Sequence, residues 1–137
     1  MNITFFLLPK IKVEFLLEDF SLRQAIEKME YHRYSVVPVL SKDGKYLYSL
    51  SEGDILYAMT KNKLKFEDLT KIRLESIKRD RDVKPVSINS SMDDLVKLIV
   101  DQNFVPVVDD RGVFIGIITR KAVINYLLSK LIRLQMA

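Results

Sequence analysis

The chain repeats itself. Tyr34-Ser35-Val36-Val37-Pro38-Val39, followed by Tyr48-Ser49-Leu50-Ser51-Glu52-Gly53-Asp54, returns as Asn103-Phe104-Val105-Pro106-Val107-Val108 and Gly116-Ile117-Ile118-Thr119-Arg120-Lys121-Ala122. Pro38 and Pro106, Gly44 and Gly112, Ser51 and Thr119, and Asp54 and Ala122 are each 68 positions apart. An offset held at once over apolar, glycine and hydroxyl positions marks an internal duplication. With 137 residues there is room for one ordinary compact unit or two very small ones. The expectation is two half-units sharing one core.

The local patterns fill in each half. Ser21-Leu22-Arg23-Gln24 fits a capping box, in which hydroxyl and Gln side chain satisfy the free amides of a helix start. Leu22, Ala25, Ile26 and Met29 follow on one helical face. Residues 35–40 are apolar at nearly every position, as in a strand buried on both faces. Ser41-Lys42-Asp43-Gly44 is a tight turn, residues 45–50 a returning strand, and residues 51–61 a second helix. Residues 62–82 connect the repeats, with helical turns predicted around 66–69 and 74–77. The second repeat then reads as a strand at 83–88, a helix opened by Ser91 with Asp94 as a second capping box, a strand at 103–108, the turn 109–112, a strand at 113–118 and a closing helix at 119–132. Met92, Leu95, Val96 and Ile99 match the first helix at an offset of 70. The offset has fallen to 68 by Pro106, so two residues are missing at the end of that helix, where loss disturbs packing least. The domain expectation is residues 1–61, a connector at 62–82, and residues 83–137.

Composition narrows the function classes. Hydrophobic residues make up 48% of the chain, with only 4 Gly and 4 Pro, which describes a folded globular protein. Its apolar runs are too short and too often interrupted by charge to span a bilayer. Ile3, Phe5, Phe6, Leu7 and Leu8 imitate a signal core, but no basic residue precedes them and no small-residue cleavage site follows. A buried strand is expected there, followed by a second strand at 13–17. The absence of Cys excludes disulfides, thiol nucleophiles and zinc-thiolate sites, and agrees with a cytoplasmic location. The net charge is +4, and the excess lies in the middle, where Lys71, Arg73, Lys78, Arg79, Arg81 and Lys84 are interrupted by Glu75, Asp80 and Asp82. Alternating signs describe a solvated face, whereas nucleic-acid binding calls for an uninterrupted basic surface.

The proline-valine strand, the glycine turn, and a strand ending Gly-hydrophobic-x-Ser/Thr-x-x-Asp at a helix start resemble, over almost the whole chain, the CBS pair. These are tandem regulatory domains of the cystathionine β-synthase type. The resemblance implies an α+β fold of two β-α-β-β-α repeats related by a pseudo-twofold axis, with two clefts related by that axis. It also implies adenosine-derivative ligands such as AMP, ATP, S-adenosylmethionine or, in small bacterial stand-alone members, cyclic di-AMP.

A hydroxyl opening a helix stands beside free amides at the positive end of the dipole, a seat for phosphate. An Asp three residues on can accept both hydrogens of a ribose diol. The two repeats keep different parts of this pattern. Ser51 and Asp54 match it, with Lys84, Pro85, Val86, Phe104, Val105 and Pro106 expected near the base, although the preceding glycine is replaced by Ser49. Gly116 and Thr119 match it in the second repeat, but Ala122 stands at the Asp position and Arg120 and Lys121 are gained. Two cations favour a phosphate-rich ligand. By resemblance to the cyclic-di-AMP-binding members, Lys12, Tyr34, Ser35 and Val36 complete that cleft.

The remaining candidates read as structural. His32 has no nucleophile or acid arranged with it. Asp93-Asp94 and Asp109-Asp110 fall in a helix's first turn and in a turn, so no metal is expected. The last helix, with Leu127, Leu128, Leu131, Ile132 and Leu134, needs a partner surface, and the resemblance implies a homodimer. The resulting expectation is a non-enzymatic regulatory module without a cofactor. It binds an adenine nucleotide and signals to an unidentified protein, away from membranes and nucleic acid. A ligand-free oligomerisation element is the alternative, favoured by Ser49 and Ala122.

Overall fold

The structure is a computed structural model describing residues 1–80 and 82–136; Arg81, one of the cations of the middle run, and Ala137 lie outside the described residues. The chain runs β1 (Leu8–Pro9), β2 (Leu16–Leu17), α1 (Leu22–His32), β3 (Val36–Leu40), β4 (Tyr46–Ser51), α2 (Glu52–Lys61), β5 (Val86–Ser87), α3 (Met92–Ile99), β6 (Phe104–Val108), β7 (Phe114–Thr119) and α4 (Arg120–Met136). Short 3-10 turns occupy Ile3–Phe6, Lys10–Lys12, Phe66–Asp68 and Leu74–Ser76. The mixed α+β architecture and its duplication follow the sequence expectation.

Two compact units result, Glu14–Asp82 and a second made of Met1–Val13 with Val83–Ala137. In the first, β2 lies parallel to β3 and β3 antiparallel to β4. Ser21 closes the start of α1 through the full box: its Oγ accepts the Gln24 amide at 3.2 Å, and Gln24 Oε1 accepts the Ser21 amide at 2.8 Å. Leu22, Ala25 and Met29 then bury one helical face against Val37, Val39 and Leu50. Residues of the connector enter the same core: Leu69, Leu74 and Ile77 are buried, the Leu22 amide donates to the Ile72 carbonyl and the Leu74 amide to that of Phe20.

In the second unit, β5 lies parallel to β6 and β6 antiparallel to β7, and β1 adds to the far edge of β7. Gly116 permits that addition, because a Cβ there would overlap the Leu8 carbonyl oxygen. In both hairpins a glycine with positive φ (88° at Gly44, 83° at Gly112) closes the turn. The side chain of Ser41 or Asp109 accepts the amide of Lys45 or Val113. The same turn is therefore built twice with different acceptors. Backbone amides and the Arg111 guanidinium hold the Asp109 carboxyl below the usual carboxylate range.

Several expectations need correction. The apolar N-terminal run is a 3-10 turn followed by two strand residues, not a strand. Ile3 and Phe6 are buried while Phe5 is 66% exposed, a spacing of three that a tight helical turn satisfies and strand alternation does not. The strands expected at 13–17 and 83–88 shrink to two residues each, the length over which they pair with β3 and β6. At Ser91 half of the box forms: its Oγ accepts the Asp94 amide, with no bond returned by the Asp94 side chain. The shortening expected at the end of that helix is present, and is three residues in helix length rather than two: α3 has 8 residues against 11 in α1.

The connector also has a counterpart. Leu74 and Ile77 bracket a 3-10 turn as Ile3 and Phe6 do, 71 positions earlier. Each repeat unit thus takes a buried turn from the segment that precedes the other repeat.

Candidate functional site

Each unit builds a corner where a strand ends and a helix begins. In the first, Val36 pairs with Ser51 across β3 and β4, and the Glu52 amide donates to the Ser35 carbonyl at 2.8 Å. In the second, Phe104 pairs with Thr119, and the Arg120 amide donates to the Asn103 carbonyl at 2.8 Å. The hydroxyls expected to hold phosphate both cap their helices: Ser51 Oγ accepts the Asp54 amide and Thr119 Oγ1 that of Ala122, each at 3.1 Å.

Asp54 is the most constrained polar group of the first corner. It is only 5% exposed, and both carboxylate oxygens accept backbone amides, Oδ2 from Ser51 and Oδ1 from Asp80, each at 3.0 Å. Asp54 thereby joins the start of α2 to the end of the connector. A carboxylate oxygen has more than one lone-pair site, so these bonds leave acceptor capacity for hydroxyl donors.

Asp54 lines a cavity of about 790 Å3 between α2 and the connector, with Tyr57, Lys61 and Asn62 on the helix side and Ser76, Lys78, Arg79 and Asp80 opposite. Ala58, Leu64, Ile72 and Ile77 give it an apolar wall. An apolar surface with a few polar groups, three of them cationic, suits an anion with a flat hydrophobic part. The Arg79 guanidinium lies 3.8 Å over the Tyr48 ring, which orients it. Burial pushes the Tyr48 phenol up, partly offset by Arg79. The neighbouring Tyr46 phenol, bonded to Ser49 at 2.8 Å, is pushed up to about 12, chiefly by burial. Neither phenol is an anion at neutral pH.

Register corrects one assignment. Tyr48 faces Val39 as Gly116 faces Val107, so Tyr48, not Ser49, stands where the second repeat has its glycine. Ser49 is buried and occupies the position of Ile117.

Of the other expected site residues, Tyr34, Ser35 and Val36 belong to the Glu14–Asp82 unit, and Lys12, Pro85, Val86, Phe104, Val105, Thr119, Arg120 and Lys121 to the other. Tyr34 is half-exposed, stacks on His32 at 5.6 Å and lines a smaller cavity of about 350 Å3 with Glu30, Arg33 and Glu52. Lys12 is exposed on a turn packed against β7, and Lys121 is exposed on α4. Val86 and Val105 are buried in their unit's core, so what they can offer a base is backbone. The Arg120 side chain is engaged by the end of α3 and the loop after it: Nε donates to the Ile99 carbonyl at 2.9 Å, Nη1 to Asn103 Oδ1 at 3.0 Å and Nη2 to the Val100 carbonyl at 3.2 Å.

Two cations of the large cavity, Lys78 and Arg79, read in the sequence as part of a solvated face because their signs alternate with acids. The signal that would have found them is the connector's match to the N-terminal turn, which marks 74–80 as part of a folded unit. Among the described residues no three His, Asp or Glu side chains gather to hold a metal, and no helix is long and apolar enough to cross a membrane.

Comparison with known proteins agrees with this architecture. The CbpB protein of Listeria monocytogenes, solved in complex with c-di-AMP, superposes with a TM-score of 0.78 at 29% identity, covering 93% of this chain and 95% of that one. A hypothetical conserved protein of Geobacillus kaustophilus superposes with a TM-score of 0.84 at 29% identity, covering 95% and 98%. An uncharacterised protein of Methanocaldococcus jannaschii is 30% identical over 81% of this chain and 83% of its own length. The CBS domain family matches residues 8–61 and 74–129, one domain on each half of the duplication. The chain belongs to the CBS domain family and carries a pair of its domains.

Proposed function

We propose that this CBS pair is a non-enzymatic regulatory module that binds an adenine nucleotide, with cyclic di-AMP as the leading ligand and AMP or ATP as the others, and passes its occupancy to a partner protein. The carrying observation is the Asp54 cavity. A buried carboxylate with spare acceptor capacity suits the free ribose diol of AMP or ATP, Lys61, Lys78 and Arg79 suit their phosphates, and the apolar wall suits the base; cyclic di-AMP, whose 3′ oxygens are esterified, keeps no such diol and is assigned to the second corner. Thr119, Lys121 and Lys12 supply the polar groups of the second corner, where Ala122 offers no carboxylate and a phosphate-rich ligand is preferred. The Listeria CbpB complex supports the choice of dinucleotide. Signalling follows from differential affinity: a nucleotide shifts a conformational equilibrium only as far as it binds one state better than the other.

The test is a thermal-shift series with AMP, ATP, S-adenosylmethionine and cyclic di-AMP on protein freed of carried-over nucleotide. A ligand at a hundredfold its Kd adds about 2.7 kcal/mol, which moves the midpoint by several degrees. Stabilisation by cyclic di-AMP that is lost in Lys121→Met, or by AMP or ATP that is lost in Lys78→Met, supports the proposal; no response to any nucleotide overturns it. The second reading, a ligand-free assembly element, is favoured by α4, where Leu127, Leu128, Leu131 and Ile132 are 45–56% exposed on one helix. That surface also fits a homodimer of the nucleotide-binding module.

A further inference from the structure

We infer that Arg120 is a positioning residue: its guanidinium closes the C-terminal end of α3 and so fixes the loop leading to Phe104 and the start of α4, rather than touching a ligand phosphate. The inference deepens the nucleotide reading, on which its ligand arm rests, by dividing the two cations of the second corner between different tasks.

The two repeats end their first helices differently. α1 finishes on Arg33 in the left-handed region (φ 60°), whose amide donates to the Met29 and Glu30 carbonyls, and the Tyr34 amide also returns to Met29. That closure satisfies the last carbonyls locally. α3 stops earlier, on Val100 in right-handed geometry (φ −60°), and the next amides, of Asp101 and Gln102, both return to Leu98. The Ile99 and Val100 carbonyls receive the Arg120 fork instead, and Asn103 receives both its third donor and its main-chain amide. In the first repeat the equivalent position is Glu52, which makes the same main-chain bond to Ser35. The side-chain role is thus new at Arg120, and it occurs in the repeat whose helix has lost two residues. A planar fork of five donors can span three acceptors at once, and a cation at a helix C-terminus also meets the negative end of the dipole. Three of the five donors are thereby committed to the end of α3 and its loop. Lys121, exposed one position on, is not so committed to α3.

The experiment compares Arg120→Lys, Arg120→Met and Lys121→Met. Lysine keeps the charge, and binds phosphate well, but cannot span the three acceptors. Without nucleotide, both Arg120 variants are expected to melt about 3–8 °C below the parent, with amide exchange raised locally over residues 100–104, while Lys121→Met melts as the parent does. With cyclic di-AMP, Arg120→Lys and Arg120→Met are expected to lose affinity by the same few-fold factor, and Lys121→Met by tenfold or more at an unchanged midpoint. The inference is overturned if Arg120→Lys keeps the parental midpoint and exchange, if exchange rises uniformly through the chain, or if lysine rescues an affinity that methionine abolishes. Should no nucleotide bind the parent, the nucleotide reading fails, and the midpoints and exchange pattern still decide the role of Arg120.

Discussion

Replacing Asp54 with alanine removes two structural bonds at one stroke. The carboxylate accepts the Ser51 amide at the start of α2 and the Asp80 amide at the end of the connector, both at 3.0 Å, in a site 5% exposed. Hydrogen bonds to a charged group contribute about 1.5–3 kcal/mol each, and an amide left buried without a partner adds its desolvation cost. Part of the loss is relieved where water reaches the amides from the cavity, so about 3 kcal/mol is expected for Asp54→Ala. In a chain of this size that lowers the thermal midpoint by about 10 °C. Asp54→Asn keeps one acceptor oxygen, loses one of the two bonds, and should fall by about half as much. Thermal unfolding followed by circular dichroism gives both shifts, and amide exchange at Asp80 reports the connector bond alone. If Asp54→Ala melts within 2 °C of the parent with Asp80 exchange unchanged, the carboxylate does not join helix and connector.

Further expectations follow from other elements. Gly116→Val should detach β1 from β7, lower the midpoint by more than 5 °C, and make the N-terminal 13 residues the first site of protease cleavage, because its Cβ meets the Leu8 carbonyl. Raising the pH should cost stability between pH 10 and about 12: Tyr46 ionises near 10 when unfolded and near 12 when folded, so the contribution is complete below 10 and lost as pH rises through 12. Tyr46→Phe should flatten that part of the pH–stability curve by about 2 kcal/mol in urea titrations. Ser21→Ala should cost about 1 kcal/mol and Ser91→Ala less, since only the first sits in a reciprocal box. Leu128→Glu with Leu131→Glu should convert a dimer to a monomer in sedimentation experiments if α4 is the contact.

The duplication was legible because its signals are local and repeated: a proline-valine strand, a glycine turn and a hydroxyl at a helix start appear twice at one spacing. Ser21 with Gln24 marked the start of α1, since a capping box is complete within four residues. The N-terminal run failed as a strand because composition does not separate a 3-10 turn from a strand over so few residues; only the burial of Ile3 and Phe6 does. The tie between Asp54 and Asp80 spans 26 residues and has no local signature. Arg120 was visible as a cation beside Thr119, but its target depended on how α3 ended. Ser49 was set against the glycine of the second repeat although the offset of 68 pairs Gly116 with Tyr48, and the pairing of Tyr48 with Val39 and of Gly116 with Val107 gives the same register.

The exchange of turns between segments also sets an order of events during synthesis. The Glu14–Asp82 unit is contiguous, and its last buried anchors, Leu74 and Ile77, leave the ribosome soon after its sheet. The other unit needs two segments that flank this one, since β1 pairs with β7 through Leu8 and Ile117. Residues 1–13, with Ile3 and Phe6 among them, must wait until β7 has been made before their partners exist. Closing so long a loop adds little to the equilibrium cost, which grows only as the logarithm of length, but it makes the completion of the discontinuous unit late and sequence-distant. A chain stopped before β7 would therefore present one finished unit, with Ile3 and Phe6 still exposed ahead of it.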